Sequence, residues 1–275
     1  MINDFKTEYI CGRKSQVIAD KVWDTGREDS LDDLKDGDIV WCVRANLDQL
    51  LVELNKHPSK KIVLISCNGD WPVDKKVFQN KSECIKIWFS QNIDYQHPDL
   101  FQIPIGLEND FGPSKGRYTD YPYLTRTIHE NVNDREKVKD KVYCNFNIKN
   151  NLEERKKTLL YLERNGLGIF GERKRFTDYC EDLMKHMFII SPNGNGIDCH
   201  RTWETLYLGS IPIVQSHFMF DEYGDLPLIQ IDNIEEITPE WLQSKVEWYN
   251  SSTFDYEKLR ISYWTKKIKE ASLTL

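Results

Sequence analysis

The sequence predicts an α/β protein of two Rossmann-like lobes with a central cleft. Three observations carry this: short apolar runs alternate with stretches of helical spacing, the alternation is interrupted once between Gly106 and Asp140, and it then resumes.

In the first series, Asp38 to Arg44 (DIVWCVR) reads as a strand, and Leu47 to Lys56 carries helical spacing in Leu47, Leu50, Leu51 and Leu54. Lys61 to Ser66 (KIVLIS) is the continuous apolar run of a buried parallel strand, followed by strands at Cys84 to Phe89 and Leu100 to Ile105. The interruption holds Gly112-Pro113, Gly116, Tyr121-Pro122-Tyr123 and a charged stretch from Asn131 to Asp140, which reads as a connection between lobes. In the second series, strands are expected at Lys141 to Phe146, Gly168 to Phe170, Met187 to Ser191, Ile211 to Val214 and Leu226 to Ile231. Helices are expected over Asn151 to Asn165, with Leu152, Leu159, Leu160 and Leu162 as its main apolar residues, over Phe176 to Lys185, and over Asp198 to Leu208, closed by Gly209. From Ile237 onward the chain reads as largely helical. The expected division is 1–125, 126–255, and a C-terminal helix over 256–275 that crosses back to the first lobe.

Composition narrows the function classes. Hydrophobic residues make up 40% and charged residues 29% of 275, the balance of a folded soluble chain. A net charge of −7 with no long basic run argues against nucleic acid as a partner. Lysine clusters at 137–141 and 266–269 are interrupted or flanked by acids, as on a solvated helix face. No apolar leader opens the sequence, and no run of about 18 apolar residues exists to span a membrane. Seven scattered Cys with no Cys-x-x-Cys pair point to reduced thiols in the cytoplasm, so the two glycosylation sequons, at Asn80 and Asn250, read as chance matches.

Chemistry concentrates in Phe188 to Val214 (FIISPNGNGIDCHRTWETLYLGSIPIV). A strand ends at Ser191-Pro192, and a loop, Asn193-Gly194-Asn195-Gly196, follows. Its glycines allow the backbone to approach a ligand and turn N–H groups outward. A helix then starts near Asp198, the expected N-cap, and its first turn suits a diphosphate. His200 and Arg201 add donors and positive charge there, and Glu204 shares a face with His200 and can accept both hydroxyl protons of a ribose. The same residues also fit a surface pair and a structural clamp. Trp203, Leu206 and Tyr207 are expected to pack on the sheet.

The pattern Ser-Pro-x-Gly, His-Arg-x-x-Glu, Leu-Gly-x-Ile-Pro-Ile resembles the donor-site signature of exostosin-like glycosyltransferases, especially the short members of large algal DNA viruses. Trp88-Phe-Ser-Gln-Asn92 and Ile103-Pro-Ile-Gly-Leu-Glu108 add a weaker match. The resemblance implies a GT-B fold, with Arg201 facing the diphosphate and Glu204 on the ribose. Within that family it implies a xylosyltransferase using UDP-xylose as substrate. Animal exostosins carry a membrane anchor and stem that this sequence lacks, which fits a cytosolic or viral enzyme acting on glycans or glycoproteins in the (host) cytoplasm.

Other candidates lie at strand ends. Asn145 and Asn147 end the first strand of the second lobe, near the donor's phosphates or sugar, and Arg155 on the next helix is either a phosphate ligand or a surface charge. Gly171-Glu172-Arg173 is either a nucleobase contact or a solvated loop. Inverting transfer needs a base, for which Asp70, after a buried strand, is preferred over Asp94 and His97, with Trp71 beside it to stack on an acceptor sugar. Retaining transfer would need none. No metal and no cofactor is implied: Asp36-Gly37-Asp38 precedes its strand, the wrong end for a metal–diphosphate site. The rival readings are a fucosyltransferase using GDP-fucose, a non-catalytic nucleotide- or carbohydrate-binding protein, and an α/β interaction module.

Overall fold

The computed structural model describes residues 8–109 and 136–275. The expected boundary between 125 and 126, and most of the expected connection, lie outside these residues. The chain divides into two compact units. An N-terminal unit holds described residues 8–109, 196–198 and 260–275, and a C-terminal unit holds 136–195 and 199–259.

The N-terminal unit is a six-stranded sheet in the order β2-β1-β3-β4-β6-β8. Its strands are β1 (Lys21–Asp24), β2 (Arg27–Glu28), β3 (Ile39–Val43), β4 (Ile62–Cys67), β6 (Ile85–Ser90) and β8 (Leu100–Gln102). Helix α1 (Leu47–Leu54) joins β3 to β4. Helix α2 (Lys75–Gln79) follows the short strand β5 (Val73–Asp74), which pairs with β7 (Ile93–Asp94). All neighbours in the main sheet are parallel except the β1–β2 hairpin. The run KIVLIS becomes β4 because Ile62, Val63, Leu64 and Ile65 are wholly withdrawn from water, each worth about 1.5–3 kcal/mol. The hairpin was not anticipated: β1 is four residues long, flanked by charges, and its parallel partner is distant in sequence. Asp36-Gly37-Asp38 forms a turn. Asp36 Oδ1 accepts from the Lys61 N–H, Asp38 Oδ2 from the Lys35 N–H, and Gly37 sits at φ +83°.

The C-terminal unit is a five-stranded parallel sheet in the order β10-β9-β11-β12-β13. The strands are β9 (Val138–Cys144), β10 (Gly168–Phe170), β11 (His186–Ile190), β12 (Ile211–Gln215) and β13 (Ile229–Ile231). The helices are α3 (Leu152–Arg164), α4 (Phe176–Lys185), α5 (His200–Tyr207) and α6 (Pro239–Ser251). Its core joins Val142, Leu162, Phe188, Ile190, Ile211, Ile213 and Ile237. The expected strand from Leu226 shortens to β13 because Pro227 has no N–H for the ladder. Of the apolar residues of α3, Leu152 is 62% exposed and Leu162 is buried, and Arg155 and Thr158 are buried with it. Trp203, Leu206 and Tyr207 of α5 are buried as expected.

The last helix, α7 (Ile261–Ser272), belongs to the N-terminal unit. It buries Ile261, Trp264 and Ile268, and Ser272 Oγ donates to the Gly37 carbonyl at 2.5 Å. Among the described residues no helix is long and apolar enough to cross a membrane.

The two sheets differ in topology. The parallel strands of the N-terminal sheet run in chain order, so its crossovers never reverse direction. In the C-terminal sheet β10 lies on one side of β9 and β11 on the other. The reversal falls between β9 and β11, and open α/β sheets bind ligands outside the carboxyl ends of the strands at such a point.

Candidate functional site

The loop after β9 carries Asn145, Phe146 and Asn147, and the loop after β11 carries Ser191, Pro192, Asn193 and Gly194. Their C-terminal-end positions follow from the strand order, and Arg155 ties them together. This side chain is 3% exposed, and its guanidinium donates to three backbone carbonyls: Nε to Asn193 at 2.8 Å, Nη1 to Asn147 at 2.6 Å and Nη2 to Pro192 at 3.3 Å. Arg155 is therefore neither a surface charge nor a cation aimed at solvent; it clamps two loops. Burial, and then the like charge of Arg201, lowers its pKa from the ordinary arginine value. Beside it, Glu154 Oε1 accepts from the Asn193 N–H at 3.1 Å and Oε2 from Asn151 Nδ2 at 2.8 Å, and burial raises its carboxyl above the usual range.

Arg201 occupies the first turn of α5. Its Nε donates to the Asn145 carbonyl at 2.9 Å, and its guanidinium lies 5.4 Å from the Phe146 ring centroid, the same distance as that of Arg155. Its Nη1 is buried with no hydrogen-bond partner, as is Asn193 Oδ1 on the neighbouring loop. A buried donor on a cation is costly to leave unmade, so these atoms mark where a polar ligand would repay the structure. Asn145 Nδ2 donates to the Tyr143 hydroxyl at 3.1 Å and to the Glu172 carbonyl at 3.2 Å, which ties the Gly171–Arg173 turn to the end of β9. Asn147 accepts from the Lys149 N–H at 3.1 Å, and Ser191 Oγ pairs with Thr202 Oγ1 at 2.9 Å. Glu204 Oε2 accepts from the Tyr179 hydroxyl at 3.0 Å, and His200 stands one turn earlier on the same helix.

One local expectation is corrected. Helix α5 begins at His200 with Cys199 at the N-cap position, and Asp198 does not cap it. The Asp198 carboxylate is instead buried in the N-terminal unit, accepting from the Ile105 N–H at 2.8 Å and from Gln102 Nε2 at 3.3 Å. Neither loop glycine has a positive φ, and both stand close to side chains. A Cβ on Gly194 would stand 3.0 Å from Arg155 Nη2, and one on Gly196 would stand 2.8 Å from Asn92 Oδ1. Gly196 belongs with the N-terminal unit.

In the N-terminal unit, Asp70 and Trp71 lie on the loop after β4, with Asp70 exposed and Trp71 64% exposed. The loop is pinned at several points. Asn68, at φ +58°, donates its N–H to Gln91 Oε1 at 2.8 Å, Asn92 Nδ2 donates to the Gly69 carbonyl at 3.2 Å, and Arg44 Nε donates to the Trp71 carbonyl at 3.3 Å. Asp94 lies exposed in β7. His97 Nδ1 accepts from the Asp99 N–H at 3.1 Å and lies 3.6 Å from the Asp99 carboxylate. Among the described residues, no group of three His, Cys, Asp or Glu side chains is placed to hold a metal ion.

Sequence reading missed Tyr179 and Glu154. Neither carries a local signal: Tyr179 reaches Glu204 across 25 positions, and Glu154 reaches Asn193 across 39.

No family model matches the sequence, and no curated protein matches it. Among solved structures, the crystal structure of a GtfA/B complex is similar at a TM-score of 0.41 and 12% identity, covering 87% of this chain and 58% of that one. This chain therefore spans less than two thirds of that chain's length.

Proposed function

We propose that the chain is a glycosyltransferase that moves a sugar from a UDP-sugar, UDP-xylose in the first instance, to a glycan hydroxyl with inversion. One observation carries the reading: at the strand-order reversal of the C-terminal sheet, Arg201 presents a buried, unpartnered Nη1 at the start of α5. A diphosphate supplies the acceptor oxygens that this donor lacks, and Glu204 on the same helix is an acceptor for ribose hydroxyls. In this reading the C-terminal unit binds the donor.

The acceptor oxygen attacks the anomeric carbon and its proton passes to the Asp70 carboxylate. The bond from the anomeric carbon to the diphosphate oxygen breaks, and UDP leaves with the electron pair. Arg201 and the N–H groups of the first turn of α5 stabilise the charge on the leaving group. Asp70 is preferred to His97 because the imidazole Nδ1 is already engaged by Asp99. Trp71, exposed and on a pinned loop, offers a flat apolar face to the acceptor sugar.

The test is transfer of labelled xylose from UDP-xylose to glycan acceptors by the wild type, Arg201→Ala and Glu204→Ala. Each variant is expected to lose about a hundredfold in kcat/KM. Full activity and donor affinity in both would remove the site assignment. Transfer from GDP-fucose alone would move the donor to guanosine, and UDP binding without turnover would make the protein a non-catalytic binder.

A further inference from the structure

The hydrogen bond between Tyr179 and Glu204 has no part in the stability of α4 or α5 as isolated helices. Tyr179 sits on α4, one turn before buried Leu183, and its hydroxyl reaches Glu204 Oε2 on α5 at 3.0 Å. The phenol is a rigid donor, because the ring fixes the oxygen's reach and leaves only the O–H to rotate. Burial, and next the Glu204 carboxylate, pushes its pKa well above the usual tyrosine value, so it remains a donor at physiological pH. The Arg201 charge acts on the same phenol in the opposite direction. Phenol, guanidinium and carboxylate thus form one electrostatic set on two adjoining helices of a single unit.

A carboxylate on an eight-residue helix has several rotamers, and ordering it only when a ligand arrives costs affinity. Resting on the donor-site reading above, we propose that Tyr179 is a positioning residue that fixes Glu204 for the ribose hydroxyls of the donor and so sets discrimination between ribonucleotides and nucleotides lacking those hydroxyls. The proposal separates two kinds of binding energy within one ligand. Contacts to the diphosphate run through Arg201 and the loop N–H groups and do not depend on Tyr179. Contacts to the ribose run through Glu204 and do.

The experiment is calorimetric titration with UDP and 2′,3′-dideoxyuridine diphosphate, and with the matching guanosine pair. Wild type, Tyr179→Phe, Tyr179→Met and Glu204→Gln are compared, with thermal melting as the fold control. Wild type is expected to prefer UDP by roughly tenfold or more, the worth of a hydrogen bond to a charged group. In Tyr179→Phe the preference is expected to fall to about threefold or less, while affinity for the dideoxy nucleotide stays within about twofold of wild type. Glu204→Gln should lose the same preference, and adding Tyr179→Phe to it should change little further. Tyr179→Met, also without the hydroxyl, keeps the test independent of one variant's folding. Equal weakening of both nucleotides, or an unchanged preference in either Tyr179 variant, overturns the role given to Tyr179 and leaves the donor site standing. Absence of any nucleotide binding by wild type overturns the donor-site reading, and this inference with it.

Discussion

Arg155 and Arg201 stand 5.4 Å from the centroid of the same ring, Phe146, yet have different tasks. The first is committed to the carbonyls of Asn147, Pro192 and Asn193; the second keeps Nη1 without a partner. Their substitutions should therefore separate. Arg155→Ala removes three hydrogen bonds from a charged donor to loop carbonyls and is expected to cost about 3 kcal/mol in urea unfolding, whatever it does to ligand affinity. Arg201→Ala relieves an unpartnered donor, so its effect on stability is expected to stay within about 1 kcal/mol while nucleotide affinity falls about tenfold or more. Comparable destabilisation by both would show that the two share a structural role. Asp182 gives a pH-dependent prediction at this scale. Burial raises its carboxyl, but hydrogen bonds from Lys174 and from the Tyr143 hydroxyl outweigh that and hold it below 3.8. A lowered native pKa means the contribution is whole above that value and is lost as pH falls through the native one. Asp182→Asn should thus lower the melting temperature at neutral pH, and the difference from wild type should shrink steadily below pH 3.8.

Among the elements, the loop from Ser191 to Cys199 shows what a sequence pattern carries and what it hides. That a strand, a Gly-containing loop and a short helix follow one another was legible, because apolar continuity in β11, the left-handed Gly209 at φ +69° and the amphipathic spacing of α5 are all local signals. The inward turn of Arg155 was not, since on α3 it occupies a position that helical spacing shares with polar residues, and only the carbonyls of a distant loop explain its burial. Asp198 misled for a similar reason: an acid before a helix is a common N-cap, but its partners here are Ile105 and Gln102, more than 90 positions away. Gly194→Ala is expected to shift the Arg155 guanidinium, because the added methyl would meet Nη2 at 3.0 Å. The measurable outcome is a weaker nucleotide affinity together with a stability loss of about 1 kcal/mol. An unaltered affinity would mean that the loop tolerates the displacement.

At the level of the whole molecule, the two α/β series in the sequence correspond to two sheets, one wholly parallel and one parallel except for its edge hairpin, and strand order distinguishes them. Order cannot be read from apolar runs, which give strands but not neighbours, so the reversal at β9 and β11 entered only with the structure. It concentrates the expected ligand chemistry in the C-terminal unit. Cysteine reactivity offers a view of that unit without an assay. Cys144 is buried in its core, and burial pushes its thiol up to about 12, whereas Cys199 is half-buried at the start of α5. A thiol reagent applied to the folded protein is therefore expected to modify Cys199 ahead of Cys144, with UDP slowing the reaction, as peptide mass mapping would show.

The central claim, a diphosphate site at the start of α5, is tested most directly by thermal melting of wild type and Arg201→Ala with UDP, GDP and CMP. A nucleotide at about one hundred times its dissociation constant stabilises the fold by about 2.7 kcal/mol. The account predicts such a rise for wild type with UDP, little with CMP, and its loss in Arg201→Ala at the same concentration. No rise with any nucleotide, or an equal rise in the variant, would contradict it.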